Sequence, residues 1–67
     1  MNWKPEVFVE GKWGQNSLVF ATKSEALNSA NALMYRWLLV CDARAVETND
    51  PVNYRWVDGK GDERLLD

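Results

Sequence analysis

Thr22 and Glu25 stand three residues apart at the head of TKSEALNSANALMYRW (residues 22–37), and this pair constrains the fold more than any other short feature. Threonine followed at the third position by glutamate is a capping box: the hydroxyl accepts from the Glu25 N–H, and the carboxylate reaches back to Thr22. Behind it, Ala26, Leu27, Ala30, Leu33, Met34 and Trp37 recur at helical spacing as one apolar stripe. Asn28, Ser29, Asn31 and Arg36 fall mostly on the other side. The pattern predicts a helix over residues 23–38, and Leu38 and Cys41 would extend the stripe by a further turn. An amphipathic helix has to bury its stripe against something, and the flanking segments must supply it.

Those segments read as strands. PEVFVE (Pro5–Glu10) alternates, with Val7 and Val9 on one face and Glu6, Phe8 and Glu10 on the other; Pro5 suits a first strand position, where a missing N–H costs little. GKWGQN (Gly11–Asn16) has the glycines and asparagine of a hairpin loop, and SLVFA (Ser17–Ala21) reads as the returning strand. After the helix, DARAVET (Asp42–Thr48) and VNYRWV (Val52–Val57) read as a third and fourth strand joined by an Asn49–Pro51 turn. The expected fold is therefore α+β: a small antiparallel sheet in ββαββ order with one helix packed on one face, in a single domain over residues 1–57. Residues 58–67 (DGKGDERLLD) read as a mobile tail whose Leu65-Leu66 pair is available to dock on the sheet. Such a layout leaves the second sheet face open unless another chain covers it.

Composition narrows the function. At 67 residues the chain buries only about 60% of its unfolded surface, so its stability is marginal without a supplement. Cys41 is the single cysteine, which excludes an internal disulfide, and the absence of histidine removes the commonest transition-metal ligand. What remains is aromatic bulk, including four tryptophans. Net charge is −2, and the eight basic residues are scattered singly, without the basic patch that phosphate contacts leave; this argues against nucleic acid as the main partner. No apolar run approaches the roughly 18 residues of a membrane span. Met1–Pro5 carries no apolar signal core, and the lone cysteine fits a reducing cytoplasm.

Catalysis is not expected. General acid–base work at neutral pH uses histidine or a carboxylate shifted by burial, and Cys41 has no histidine to activate it. It reads instead as a small buried apolar side chain near the helix end. GKWG and DGKGD contain glycine and lysine without the strand–loop–helix spacing of a phosphate loop, and Asp50, Asp58 and Asp62 lack calcium-loop spacing. No cofactor and no metal is implied.

The candidate contact residues are aromatic. In VNYRWV, Val52, Tyr54 and Trp56 share one face and Asn53, Arg55 and Val57 the other. The first set is expected to meet the helix at Leu27, Ala30, Met34 and Trp37, with Arg55 in solvent. The competing reading leaves Tyr54 or Trp56 partly exposed beside Arg55 as a binding surface, since Trp, Tyr and Arg dominate binding hot spots. Trp13, in a glycine-flanked loop, either folds over the sheet edge or projects toward a partner, and Trp3 near the chain start is similar.

The blocks FATKSEA (Phe20–Ala26), RW (Arg36-Trp37), DARAVE (Asp42–Glu47) and above all DPVNYRW (Asp50–Trp56), with an opening WKPEV (Trp3–Val7), resemble a set of very small proteins encoded by tailed phages and prophages. The resemblance extends to about Val57 and implies a phage or bacterial origin and the cytoplasm of a bacterial host. It brings no assigned activity and no functional residues. A looser, topological similarity joins the chain to small phage proteins that take over host functions, including inhibitors of bacterial RNA polymerase. The leading expectation is a protein-binding module that docks on a host or phage protein and modulates it, for instance as an inhibitor of host transcription or defence. The alternatives are a structural homodimer and single-stranded nucleic-acid binding by aromatics on the open sheet face.

Overall fold

The computed structural model describes residues 1–65. It is an α+β fold of one helix and small antiparallel sheets. The elements are β1 (Asn2–Val9), β2 (Lys12–Gln15), α1 (Lys23–Arg36), β3 (Val40–Thr48), β4 (Tyr54–Val57) and β5 (Gly61–Arg64). The expected ββαββ order is present, and a fifth strand follows it. β1 is the central strand of a β2-β1-β3 sheet, while β4 and β5 form a separate hairpin.

Three local devices set this arrangement. The first hairpin turns over two residues, since Val9 pairs with Lys12 across Glu10-Gly11. Both turn residues have positive φ, 52° and 81°, the conformation of a type I′ turn, whose twist matches that of the strands. The return strand is therefore β2, inside the segment expected to be loop, and Trp13 stands on a strand.

The second device is a bulge. Phe8 pairs with Asp42 and Val9 with Val40, leaving Cys41 as the extra residue. The bulge turns Val40 into the core at 7% exposure and sets Cys41 in solvent. The expectation of a buried Cys41 is corrected by that one-residue shift. β3 pairs with β1 rather than with β4, and among the described residues its other edge carries no strand. On β3 the Ala43 N–H donates to the carboxylate of its neighbour Asp42 (2.8 Å).

The third is a strap. Ser17–Ala21, expected to be a full strand, pairs with β1 only at Phe20 and Trp3, each donating its N–H to the other's carbonyl (2.7 and 2.9 Å). Val19 turns its polar groups the opposite way. Its N–H donates to Asn53 Oδ1 (2.7 Å), and its carbonyl accepts from the N–H groups of Asn53 and Tyr54 (3.1 Å each). Asn53 Nδ2 donates to the Ser17 carbonyl (2.7 Å), and the Asn53 carbonyl accepts from Leu65 N–H (3.0 Å). One asparagine thus joins the strap, β4 and the end of β5.

Residues 58–65 are a turn, a strand and its exit rather than a tail. Lys60 N–H closes on the Val57 carbonyl (3.0 Å), with Gly59 at φ +85° as a type II turn requires at its third position. β5 then pairs back on β4 from Gly61–Val57 to Arg64–Tyr54. The sequence shows the glycines and hides the strand, because Gly-Asp-Glu-Arg has no apolar alternation. Leu65 is half-buried; the expected docking of Leu66 falls outside the described residues.

The helix starts where its capping box predicts, with the carboxylate reaching the Thr22 hydroxyl in place of its backbone N–H. Thr22 is the N-cap, accepts from Glu25 N–H (3.2 Å) and donates to Glu25 Oε1 (3.0 Å). Glu25 Oε2 also accepts the Trp56 N–H (2.9 Å), which ties β4 to the helix start. The inward face is small: Ala26, Ala30 and also Ser29, expected on the polar side, are fully buried, with Phe20, Val7, Val19 and Val40 around them. Small residues let the helix lie close on β1 and β3, so its larger apolar side chains are displaced to the flanks. Met34 and Trp37, expected against Tyr54 and Trp56, stay 37% and 44% exposed.

Two stability outcomes follow from these contacts. Glu10→Asn, which tolerates positive φ, raises stability by roughly 0.5–1 kcal/mol in urea denaturation; an unchanged midpoint would deny strain at this turn. Asn53→Ala lowers it by about 2 kcal/mol, because Val19 N–H is left without its partner, while Asn53→Asp loses less. Equal losses for Ala and Asp would show that the acceptor oxygen is not the important atom.

Candidate functional site

The five sequence-derived contact residues do not form one site. Trp3 is half-buried on the Phe20 pairing, with Lys23 Nζ 5.7 Å from its ring centroid. Tyr54 leans on Phe20, ring centroids 6.4 Å apart at 50°. Arg55 is exposed and bound across the hairpin to Glu63. Trp56 is half-buried, donates its indole N–H to Asp58 (3.2 Å), and borders Ala32 and Tyr35 of the helix in a shallow groove with Arg36 and Lys60. Tyr54 and Trp56 therefore sit on the helix side of β4 and Arg55 on the solvent side, as the strand period requires.

Trp13 belongs to the face of the three-stranded sheet turned away from the helix. It pairs across the strands with Phe8, ring centroids 5.2 Å apart and edge-on at 61°. The Arg44 guanidinium lies over the Trp13 ring at 3.8 Å from its centroid. The same guanidinium binds Glu6 Oε1, and Glu6 Oε2 accepts from Gln15 Nε2 (2.8 Å). Register explains the cluster: Glu6 stands opposite Gln15 on one side and Arg44 on the other. These side chains cover the middle of the face so well that Glu6 is only 8% exposed. A base stacking on Trp13 would have to displace the arginine.

The large unpartnered apolar surface is elsewhere, at the joint between α1 and β3. Trp37 caps the helix with an extended backbone and donates its N–H to the Leu33 carbonyl (2.9 Å). Val40 N–H then closes on the Trp37 carbonyl (3.1 Å), making Leu38 and Leu39 the central pair of a tight turn. Their exposures are 95% and 55%. Turn centres favour Gly, Asn, Asp and Pro for definite backbone reasons, none of which leucine meets. Beside this turn lies an apolar hollow of about 300 Å³ between helix and sheet, walled by Pro5, Val7, Val9, Leu33 and Trp37. Its floor on β2 is Gly14, which pairs with Val7 and therefore faces the helix side; a Cβ there would meet nothing within 4 Å. Tyr35, 89% exposed, stands on the other flank of the helix, toward Trp56.

Sequence reasoning missed this surface because it spent Met34, Trp37 and Leu38 on the core. A signal was present: helix and strand are separated only by Trp37, Leu38 and Leu39, so the turn falls on two leucines. Among the described residues no group of His, Cys, Asp or Glu is placed to hold a metal ion, and no helix is long and apolar enough to cross a membrane. No protein-family model, no curated protein and no solved structure matches the chain.

The Arg44–Trp13 contact is measurable on its own. A double-mutant cycle between Arg44→Ala and Trp13→Leu in urea denaturation gives a coupling of about 1 kcal/mol, within the range of a half-exposed cation–π pair. Zero coupling would mean that the stacked geometry does not persist in solution.

Proposed function

We propose that this protein is a non-enzymatic protein-binding module that docks through the α1–β3 joint. The observation that carries the reading is the Leu38-Leu39 pair at the centre of an exposed turn, flanked by Trp37 and the apolar hollow. A folded chain gains nothing from leucine at such a position, and exposed apolar patches with aromatic neighbours are where proteins meet partners. The hollow accepts an apolar side chain, and the turn offers two in return. The lack of histidine leaves Cys41, though exposed, without an activating base.

The sequence resemblance supplies the setting: a small phage-type protein in a bacterial cytoplasm, docking on a host or phage protein and altering what that protein does. The cationic and aromatic groups of the sheet face are bound to one another, which weighs against a nucleic-acid role.

The test is capture from nuclease-treated bacterial lysate with tagged wild type, Leu38→Asp and Arg55→Ala, read by mass spectrometry. A protein retained in stoichiometric amount by wild type and Arg55→Ala, and lost at least tenfold by Leu38→Asp, supports docking at the joint. Equal retention by Leu38→Asp would put the docking surface elsewhere.

A further inference from the structure

The joint carries a projection and a recess side by side, and Trp37 belongs to both. We infer that it is self-complementary: two copies of this chain close on each other about a two-fold axis at Trp37, each placing Leu38 in the hollow of the other, so that self-association and target docking exclude one another. This rests on the reading of the joint as a protein-binding surface and names its first occupant.

Charge favours a second copy. In a two-fold contact each residue meets a different residue of the other copy except at the axis, where it meets its own twin, so a charge at the centre meets a like charge. Here the turn and its flank are Met34, Trp37, Leu38 and Leu39, and the walls of the hollow add only apolar residues, Gly14, Gln15 and Asn16. None is charged. An interface built for a different protein has no such requirement and commonly uses charge to choose its partner.

Size agrees as well. Met34, Trp37, Leu38 and Leu39 are 37%, 44%, 95% and 55% exposed, a patch on the scale of the roughly 300–600 Å² that is the largest on a typical monomer and is often functional. In a two-fold contact each copy contributes projection and recess together, which brings one side toward the roughly 600–800 Å² that a small stable interface buries per partner. A domain of this length also has a core small enough for association to be a substantial supplement.

Sedimentation velocity across a dilution series tests the inference with wild type and two variants. Leu38→Asp removes the projection. Gly14→Ile fills the recess from the opposite strand, where nothing stands within 4 Å of the new Cβ and the backbone φ is ordinary. Wild type is expected to move from twice the chain mass to one chain mass on dilution. Each variant is expected to remain at one chain mass throughout, with an unchanged far-ultraviolet spectrum. Wild type at a single chain mass up to the highest concentration would overturn self-association, as would a dimer that survives both variants. The docking reading fails separately: if the variants dissolve the dimer while Leu38→Asp still captures the target, the joint serves self-association alone.

Discussion

The fold depends on the joint between Val19 and Asn53. A two-stranded hairpin is marginal alone, and among the described residues no strand ladder joins β4-β5 to the three-stranded sheet. Val19 bridges the gap by alternation: its neighbour Phe20 bonds to β1, so its own N–H and carbonyl point to Asn53 and Tyr54. The Asn53 side chain then acts as a piece of backbone, accepting from Val19 and donating to Ser17. Glu25 makes a second tie from the other side by capping its own helix with one oxygen and holding the Trp56 N–H with the other. The helix is thereby framed by sheet and hairpin, and Phe20 is sealed between them at zero exposure.

Much of this was legible. The capping box fixed the start of α1 to the residue, and the alternation of PEVFVE placed Val7 and Val9 correctly on the helix side. The strands that went astray did so for identifiable reasons. β2 was hidden because Glu-Gly carries a type I′ turn without the usual asparagine, while the glycines in GKWGQN looked more like a loop. β5 was hidden because its two sides are charged or glycine and its strand character comes from pairing with β4. The pairing of β3 with β1 is a choice between edges, which no local pattern records.

The contact surface was the least legible part. A helical stripe says which residues share a face, but the depth of each depends on how closely the helix approaches the sheet. Ala26, Ser29 and Ala30 bring α1 in so tightly that the stripe's inner positions are filled by small side chains, and Ser29 Oγ is buried there without a hydrogen-bond partner among the described residues. Met34 and Trp37 are then left over at the rim. The aromatic residues that looked like contact groups, Trp13 and Trp56, are occupied by Arg44 and Phe8 in one case and by Asp58 and the helix flank in the other. Tryptophan content alone could not distinguish the two uses.

Asp42 bears on how far association can go. β3 is nine residues long with one edge unpaired among the described residues, and such an edge is a template on which further chains can add without limit. Near the start of β3, next to the bulge, the Asp42 carboxylate already holds the Ala43 amide, and a strand arriving in line would have to displace that anion or bring it up against its own carbonyls. Growth by strand addition is thus discouraged at the bulged end of β3. The sticky turn next door is left free to make contacts of side chains, which end when the surface is covered, instead of contacts of backbone, which repeat.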